Sequence, residues 1–442
     1  MKIPAYVQTL MDRLENAGYQ AWAVGGCVRD DALGIEPHDY DLCSSALPDR
    51  LAELFSDHDL VRSGMKHGTV GVITPQGVVE ITTFRTEGDY SDNRHPGWVR
   101  FETEVEADLS RRDFTVNAMA YSPIRGYADP FGGRRDLASR RLRAVGDPVR
   151  RFQEDALRIL RGARFAARFG MTIEPETLEA MVSQRQLMDS LARERVFSEL
   201  TQFFALTDRE LLVKLAPVLC QVIPELGDCR GFDQKNPNHL YDVYTHIADV
   251  TARLPRDPVI RFAGILHDIG KPRCMSLDSQ GKGHFYGHAK VSAAMAEDIL
   301  RRLKAPNAFR EDVVWLVEHH MDLYDPEPKL VRRVLSRHGI ERVRMLCALQ
   351  KADLGGKGTG KKADRADTIG EFLRLAEGLN AREGTMTLKR LAVKGNDLMA
   401  LGYPQTPALG KTLNALLEKV LAGELPNEKQ PLLEQARQWL EE

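Results

Sequence analysis

Asp39 and Asp41 stand two residues apart in His38-Asp39-Tyr40-Asp41-Leu42, shortly after a glycine pair in Ala23-Val24-Gly25-Gly26-Cys27-Val28-Arg29-Asp30. If the acidic segment is a strand, alternate residues project from one face, and two carboxylates on one face can share divalent cations. The glycine pair lets an apolar strand ending at Val24 turn tightly into a helix opening near Val28, whose unsatisfied amide donors form a seat for phosphate. Either half alone fits a tight turn or a solvated acidic strand. Together they supply what in-line nucleotidyl transfer needs, because metals held by the acids clamp the attacking and leaving oxygens of a phosphate bound nearby.

Further along, Glu154-Asp155-Ala156-Leu157-Arg158 is followed by Arg161 and Arg164. Helical spacing puts Asp155 and Arg158 one turn apart on one face. On an open surface such a pair is worth little, but beside a nucleotide pocket it presents acceptor and donor groups to one base edge. ATP and CTP both carry an amino donor beside a ring-nitrogen acceptor, whereas GTP and UTP place a carbonyl and a ring N–H there. An amino-acid pair can therefore select A and C without a nucleic-acid template. His246, His267-Asp268 and Asp353 together resemble the ligand spacing of an HD metal domain, and their imidazoles and carboxylates suit a borderline transition metal that lowers the pKa of a bound water. His267-Asp268 closes an apolar helix over residues 259–266, ended by Gly270-Lys271-Pro272. His288 with one of His319 and His320 can supply a second metal.

Gly25-Gly26-x-Val28-Arg29-Asp30 with Asp39-x-Asp41 resembles the opening motif of the class II CCA-adding enzymes and bacterial poly(A) polymerases, in the polymerase β superfamily. Four more stretches carry the resemblance in the same order: residues 108–118 around Arg111-Arg112-Asp113, the turn Asp129-Pro130-Phe131-Gly132-Gly133-x-x-Asp136-Leu137, the Glu154–Arg158 segment, and Arg195-x-x-x-Glu199-Leu200. Cys27 departs from the pattern, where alanine is common. The resemblance implies that Asp39 and Asp41 hold two Mg²⁺, that Gly26, Arg29 and Arg112 hold a triphosphate, and that Asp155, Arg158, Arg161 and Arg164 select the base and bind the nucleotide. It further implies that a tRNA 3′-hydroxyl attacks the α-phosphate of CTP or ATP, that residues 129–137 hinge head to neck, and that Arg195 and Glu199 pair to brace the base-reading helix. His246, His267, Asp268 and Asp353 match the spacing of an HD phosphohydrolase domain, which in some of these enzymes acts on cyclic or terminal phosphates of RNA; a purely structural metal site is the alternative. Other readings are a poly(A) polymerase, an A-only or CC-only enzyme, and, from another class, an HD hydrolase whose head only binds RNA. Polar, glycine-rich residues 85–100 are expected as a mobile loop, which in the family is implicated in the final A addition and so leans against CC-only.

These residues need several elements around them. Val7, Leu10, Met11 and Leu14 predict an amphipathic helix within residues 1–22, residues 48–58 a second helix, and residues 68–73 and 78–84 a β-hairpin. Glu80, on the second hairpin strand, is either a third carboxylate beside Asp39 and Asp41 or a structural residue. The expected fold is α+β: a polymerase β-like nucleotidyltransferase head with a mixed sheet at 1–135, then a largely α-helical remainder. That remainder divides into a neck with the base-reading helix at 136–205, a body at 206–240, an HD domain at 241–355 and a tRNA-binding tail at 356–442, with a flexible basic link at 355–363. At 442 residues the chain exceeds one ordinary core. Its net charge of −2 gives no nucleic-acid footprint, but residues 134–168 hold eleven arginines against four acids, either a phosphate-engaging patch or a solvated helix face. Charged residues interrupt the first twenty positions, so no secretory signal is expected, and no apolar run reaches membrane-span length. Six scattered cysteines without a CxxC pair argue for a reducing, cytoplasmic setting.

Overall fold

The computed structural model describes residues 1–90, 96–236, 240–355 and 362–441, in two compact units, Met1–Gly227 and Asp228–Glu442. The first unit opens with α1 (Ala5–Asn16), which buries Val7, Leu10, Met11 and Leu14 as their helical spacing predicts. There follow β1 (Ala21–Val24), α2 (Gly26–Ala32), β2 (Asp41–Ser44), α3 (Pro48–Leu54), β3 (Leu60–Val61), β4 (Thr69–Thr74), β5 (Gly77–Thr83), β6 (Arg85–Tyr90), β7 (Pro96–Phe101), α4 (Val105–Ser110), β8 (Ala120–Ser122) and β9 (Gly126–Ala128). Seven of these strands form one mixed sheet in the order β3-β4-β5-β2-β1-β8-β9, antiparallel except between β2 and β5. Trp22, Val24, Cys43, Phe84 and Ala120 pack against Val105 and Leu109 of α4 and give the sheet a buried face. The parallel register pairs Leu42 with Ile81, so Asp41 and Glu80, each one residue earlier, stand side by side.

Of the stretch 85–100, expected as a mobile loop, residues 85–90 and 96–100 form strands instead. Strands β6 and β7 form an antiparallel hairpin, with residues 91–95 outside the described set. Gly88, which reads as a loop signal, is paired with Trp98, whose indole lies where a Cβ at position 88 would be. An aromatic ring laid over a strand glycine supports the ladder that a bare glycine weakens.

The unit continues with α5 (Gly133–Ala138), β10 (Arg141–Leu142), α6 (Pro148–Glu154), α7 (Leu157–Phe169), β11 (Thr172–Ile173), α8 (Pro175–Ser183), α9 (Arg193–Leu206), α10 (Arg209–Lys214) and α11 (Ala216–Val222). The turn before α5 is pinned. Asp129 accepts from the Gly133 and Arg134 amides, Asp136 accepts from the Thr115 hydroxyl and from Arg143, and a Cβ on Gly133 would overlap the Thr115 carbonyl oxygen.

The second unit is helical: α12 (Val243–Arg253), α13 (Pro258–Leu266), α14 (Lys271–Cys274), a short pair β12 (Ser276–Leu277) and β13 (Gly283–His284), α15 (His288–Arg302), α16 (Asn307–His319), α17 (Pro328–Gly355, broken at Gly339), α18 (Lys362–Glu383), α19 (Gly395–Ala400), α20 (Pro407–Leu421) and α21 (Lys429–Glu441). Most of the expected basic link, residues 356–361, lies outside the described residues. Leu398, Leu416, Leu417, Leu421, Leu432 and Ala436 form the core of a small helical bundle within the segment expected as the tail. Among the described residues no helix is long and apolar enough to cross a membrane.

Candidate active site and metal centre

Gly25 is the joint between β1 and α2. Its φ of +75° suits glycine alone, and a Cβ there would stand 2.7 Å from Arg112 Nη1, so the same residue makes the turn and lets that guanidinium lie against it. Helix α2 opens at Gly26, two residues before Val28, and is only seven residues long. Arg29 on it is buried, donates to Asn117 Oδ1 at 2.6 Å and Asp30 Oδ1 at 2.8 Å, and lies 4.5 Å above the Phe169 ring. Arg112 Nη2 reaches Asp108 Oδ2 at 3.3 Å, while its Nε is buried with no partner among the described residues, a donor that an anion would satisfy. Cys27 is buried, and burial with the nearby Asp41 charge pushes its thiol up to about 11, so it is no nucleophile.

Strand β2 begins at Asp41, so Asp39 lies in the approach to the strand rather than in it. The side chains still alternate: Asp39 and Asp41 are exposed and Tyr40 between them is buried. Desolvation raises the Asp41 pKa, and the charges of Glu80 and Asp39 raise it further, against the pull of Arg112. Among the described residues, however, the carboxylate oxygens of Asp39, Asp41 and Glu80 do not all lie within 4.8 Å of one another. Glu80 stands beside Asp41 on the neighbouring strand, the place that the third-carboxylate alternative requires.

A cavity of about 390 Å³ opens at this point, walled by Gly25, Gly26, Arg29, Asp41 and Arg112 on one side and by Asp155, Arg158, Arg161, Phe165 and Arg195 on the other. Most of the candidate residues thus converge. Asp39 stands outside the cavity lining, and Arg164 is buried with Nε on Glu199 Oε2 at 2.6 Å, bracing α7 against α9 instead of facing the cavity. Arg195 and Glu199, expected to pair with each other one turn apart, both reach across to the α7 region: Arg195 Nη2 lies 3.6 Å from Asp155 Oδ2. Truncating Glu199 leaves Arg164 buried and unpaired, so Glu199→Ala is expected to cost about 3–5 kcal/mol. A chemical-denaturation midpoint equal to that of the wild type would remove this brace.

Asp155 is not one helical turn from Arg158 on a continuous helix, as expected. Its backbone is extended (φ −142°, ψ 105°) and ends α6, while its Oδ1 accepts from the Leu157 amide at 3.0 Å and so starts α7. A short acid that caps the next helix competes with helical continuation, which spacing alone does not reveal. Arg158 donates to Glu154 Oε2 at 2.7 Å and to the Arg151 and Arg111 carbonyls at 3.0 Å, contacts that fix its guanidinium plane. Arg161 is clamped by Asp113 Oδ2 at 2.8 and 2.7 Å. Burial favours the neutral form of Asp113, but Arg161, Asn117 and Arg158 hold its carboxyl well below the usual range. Asn117 carries no assigned role in the sequence reading; its i, i+4 spacing from Asp113, to which its amide donates, is the signal that was available.

In the second unit, one donor atom each from His246 on α12, His267 and Asp268 at the end of α13, and Asp353 on α17 lie within 4.8 Å of one another, all on buried residues. His246 Nε2 is 3.0 Å from Asp353 Oδ1 and 3.2 Å from Asp268 Oδ2. Asp268 also belongs to a second group: its Oδ1 is 3.2 Å from His288 Nε2 and 3.7 Å from His320 Nε2. The choice between His319 and His320 falls to His320, since His319 pairs with Asp322 at 2.6 Å. His267, His288 and His320 each set Nδ1 on a backbone carbonyl, of Gly264, Phe285 and Val317, which leaves each Nε2 lone pair for the Asp268 side. His267 Nε2 is buried without a hydrogen bond among the described residues, and burial lowers its pKa towards the neutral, ligating form. Against the desolvation of burial, His267 and Lys271 hold the Asp268 carboxyl well below its usual range. Neutral imidazoles around two facing oxygens of one carboxylate fit a pair of transition-metal ions.

Acids ranged on a mixed sheet against a guanidinium-lined cavity define a nucleotidyltransferase head, here in one chain with an HD-type centre. A family model described as "Poly A polymerase head domain" matches residues 21–143, and one described as "HD domain" matches residues 238–355. The chain belongs to the family of CCA-adding enzymes. It is 32% identical over 430 residues to the CCA-adding enzyme of Levilactobacillus brevis, across 96% of this chain and 95% of that one, and 32% identical over 433 residues to that of Streptococcus suis, across 96% and 94%. The crystal structure of the Bacillus stearothermophilus CCA-adding enzyme in complex with CTP matches with a TM-score of 0.71 at 27% identity over the whole of both chains. The Thermotoga maritima CCA-adding enzyme complexed with tRNA shares the fold, with a TM-score of 0.57 at 20% identity over 98% of this chain and 95% of that one.

Proposed function

We propose that the chain adds or repairs the 3′-terminal CCA of tRNA from CTP and ATP without a nucleic-acid template, in the cytoplasm, using two Mg²⁺ held by Asp39 and Asp41. The observation that carries this reading is the single cavity into which Asp41, with Glu80 beside it, and the Arg29, Arg112, Arg158 and Arg161 guanidiniums converge. Magnesium bound there would ready the 3′-hydroxyl for attack and offset the charge of the departing pyrophosphate. Arg112, with its unpartnered Nε, and Arg29 hold the triphosphate at the Gly25-Gly26 turn. Asp155 and Arg158 present acceptor and donors to the base edge, Arg161 binds the nucleotide from its Asp113 clamp, and Arg164 supports α7 from behind. The functional segments are the head at 1–135, neck at 136–205, body at 206–240, HD domain at 241–355 and tail at 356–442, the tail gripping tRNA away from its 3′ end.

Incubating tRNA that lacks its 3′ end with CTP alone, ATP alone and both tests the proposal. Two cytidines, no addition, and three nucleotides followed by a stop are expected, respectively. A run of adenosines would instead make the protein a poly(A) polymerase, and a stop after two cytidines with both nucleotides a CC-only enzyme. Exchanging the donor pattern at the base edge, by Asp155→Arg with Arg158→Asp, is expected to relax discrimination against GTP and UTP by about tenfold or more, the scale of one or two hydrogen bonds. Unchanged nucleotide choice would remove the pair from base reading.

For the HD domain, the sharing of Asp268 between two ligand groups favours a working phosphohydrolase centre with a divalent transition metal, acting on cyclic or terminal phosphates of RNA, over a structural one. Phosphate release that survives loss of Asp41 and disappears with loss of Asp268 is the expected pattern.

A further inference from the structure

The arginine-rich run at 134–168 is only partly absorbed by the active site. Six of its eleven arginines, Arg143, Arg150, Arg151, Arg158, Arg161 and Arg164, face carboxylates of Asp136, Glu154, Asp113 or Glu199. The other five have no carboxylate partner among the described residues, and three of them, Arg134, Arg140 and Arg168, ring one cavity of about 640 Å³, larger than the 390 Å³ of the candidate active site. All three are exposed. The walls between them are apolar and aromatic: Ile35, Tyr127 and Phe169 line the cavity, with Ile35 45% and Tyr127 36% exposed. Arg134 lies 4.5 Å from the Tyr127 ring centroid and Arg168 lies 5.2 Å from that of Phe169. A guanidinium laid on a ring face keeps its N–H edge free for an anion. Arg140 follows α5 with a left-handed φ of 49°, the conformation that commonly ends a helix.

This cavity is connected to the active site through α7. Phe165 lines the active-site cavity, Phe169 one turn later lines this one, and the two rings stack with centroids 6.1 Å apart, with Arg29 lying over both. We propose that the cavity is a second nucleotide-binding site, taking one nucleotide unit with its base against Tyr127, Ile35 and Phe169 and its phosphates on Arg134, Arg140 and Arg168. No carboxylate lines it, so it offers nothing to the magnesium that accompanies a free triphosphate, whereas the diester phosphates of RNA need only guanidinium. The unit is therefore part of an RNA strand, an assignment that rests on the proposed action on tRNA. A free nucleotide is the other source of the same chemistry.

The test compares the full-length wild type with the triple variant Arg134→Gln, Arg140→Gln, Arg168→Gln. Labelled tRNA lacking its CCA is titrated across a salt series, and CTP stoichiometry is measured by equilibrium dialysis. The variant is expected to bind tRNA at least about tenfold more weakly with a salt slope lower by about 2–3, one increment per lost phosphate contact. CTP stoichiometry and incorporation at saturating tRNA are expected to stay at wild-type values. A CTP stoichiometry that falls from two in the wild type to one in the variant supports the site with a free nucleotide as occupant. Unchanged tRNA affinity and salt slope together with unchanged stoichiometry overturn it. A wild type that neither binds nor extends tRNA contradicts the proposed function instead, and the CTP stoichiometry then decides the cavity alone.

Discussion

Asp41→Ala is expected to lower nucleotide incorporation by at least about a thousandfold, the upper scale for removing one preorganised electrostatic contribution, while tRNA binding stays within a few-fold of the wild type. Asp41 is the acid at the mouth of β2 that lines the cavity, with Glu80 beside it on β5 and Asp39 two residues before it. Its carboxyl meets the field of Arg112 as well as those of both acids, and it is the acid of the three that lines the cavity. Asp39→Ala should act in the same direction. Labelled CMP transfer to tRNA lacking its 3′ end measures the effect, and turnover within tenfold of the wild type would take Asp41 out of the chemistry.

The second large effect is expected at Asp268. Its two oxygens face two ligand groups, so Asp268→Asn should lower metal affinity by at least about 100-fold, beyond the cost of losing an outer-shell partner, and should abolish any phosphohydrolase activity. The substitution keeps the shape of the side chain but leaves Lys271, 2.6 Å away and buried, without its counter-charge. A stability loss of about 3–5 kcal/mol is expected alongside. Two readouts separate the effects: bound metal by elemental analysis, and CMP incorporation, which depends on acids in the other unit. Full metal content in the variant would take Asp268 out of the ligand set.

The parts of the active site that the sequence makes legible are those set by local chemistry. A glycine pair after an apolar strand has few outcomes but a tight turn, which Gly25 makes, and residues 39–41 alternate exposed, buried, exposed although β2 starts only at Asp41 and Asp39 stands outside the cavity lining. The HD cluster is legible only through the resemblance, because the spacing of His246, His267-Asp268 and Asp353 matches an HD domain while no local signal joins His246 to Asp353, 107 positions away. What spacing leaves hidden is tertiary competition. Asp155 caps the next helix instead of continuing the last, and Arg195 and Glu199 find partners across a helix pair instead of along one helix. His319 and His320 are adjacent in sequence, and only the end of α16 decides that His320 turns inward. The β6–β7 hairpin is hidden because its glycine is covered by a tryptophan ten residues away.

The most direct test of the central claim is a crystal of the protein with CTP and Mn²⁺ in place of Mg²⁺, read by anomalous scattering. Manganese is expected between Asp39, Asp41 and the triphosphate, with Arg112 and Arg29 on the phosphates and the cytosine edge at Asp155 and Arg158. A nucleotide seated elsewhere, or manganese absent from the two aspartates while CTP is bound, would contradict the account.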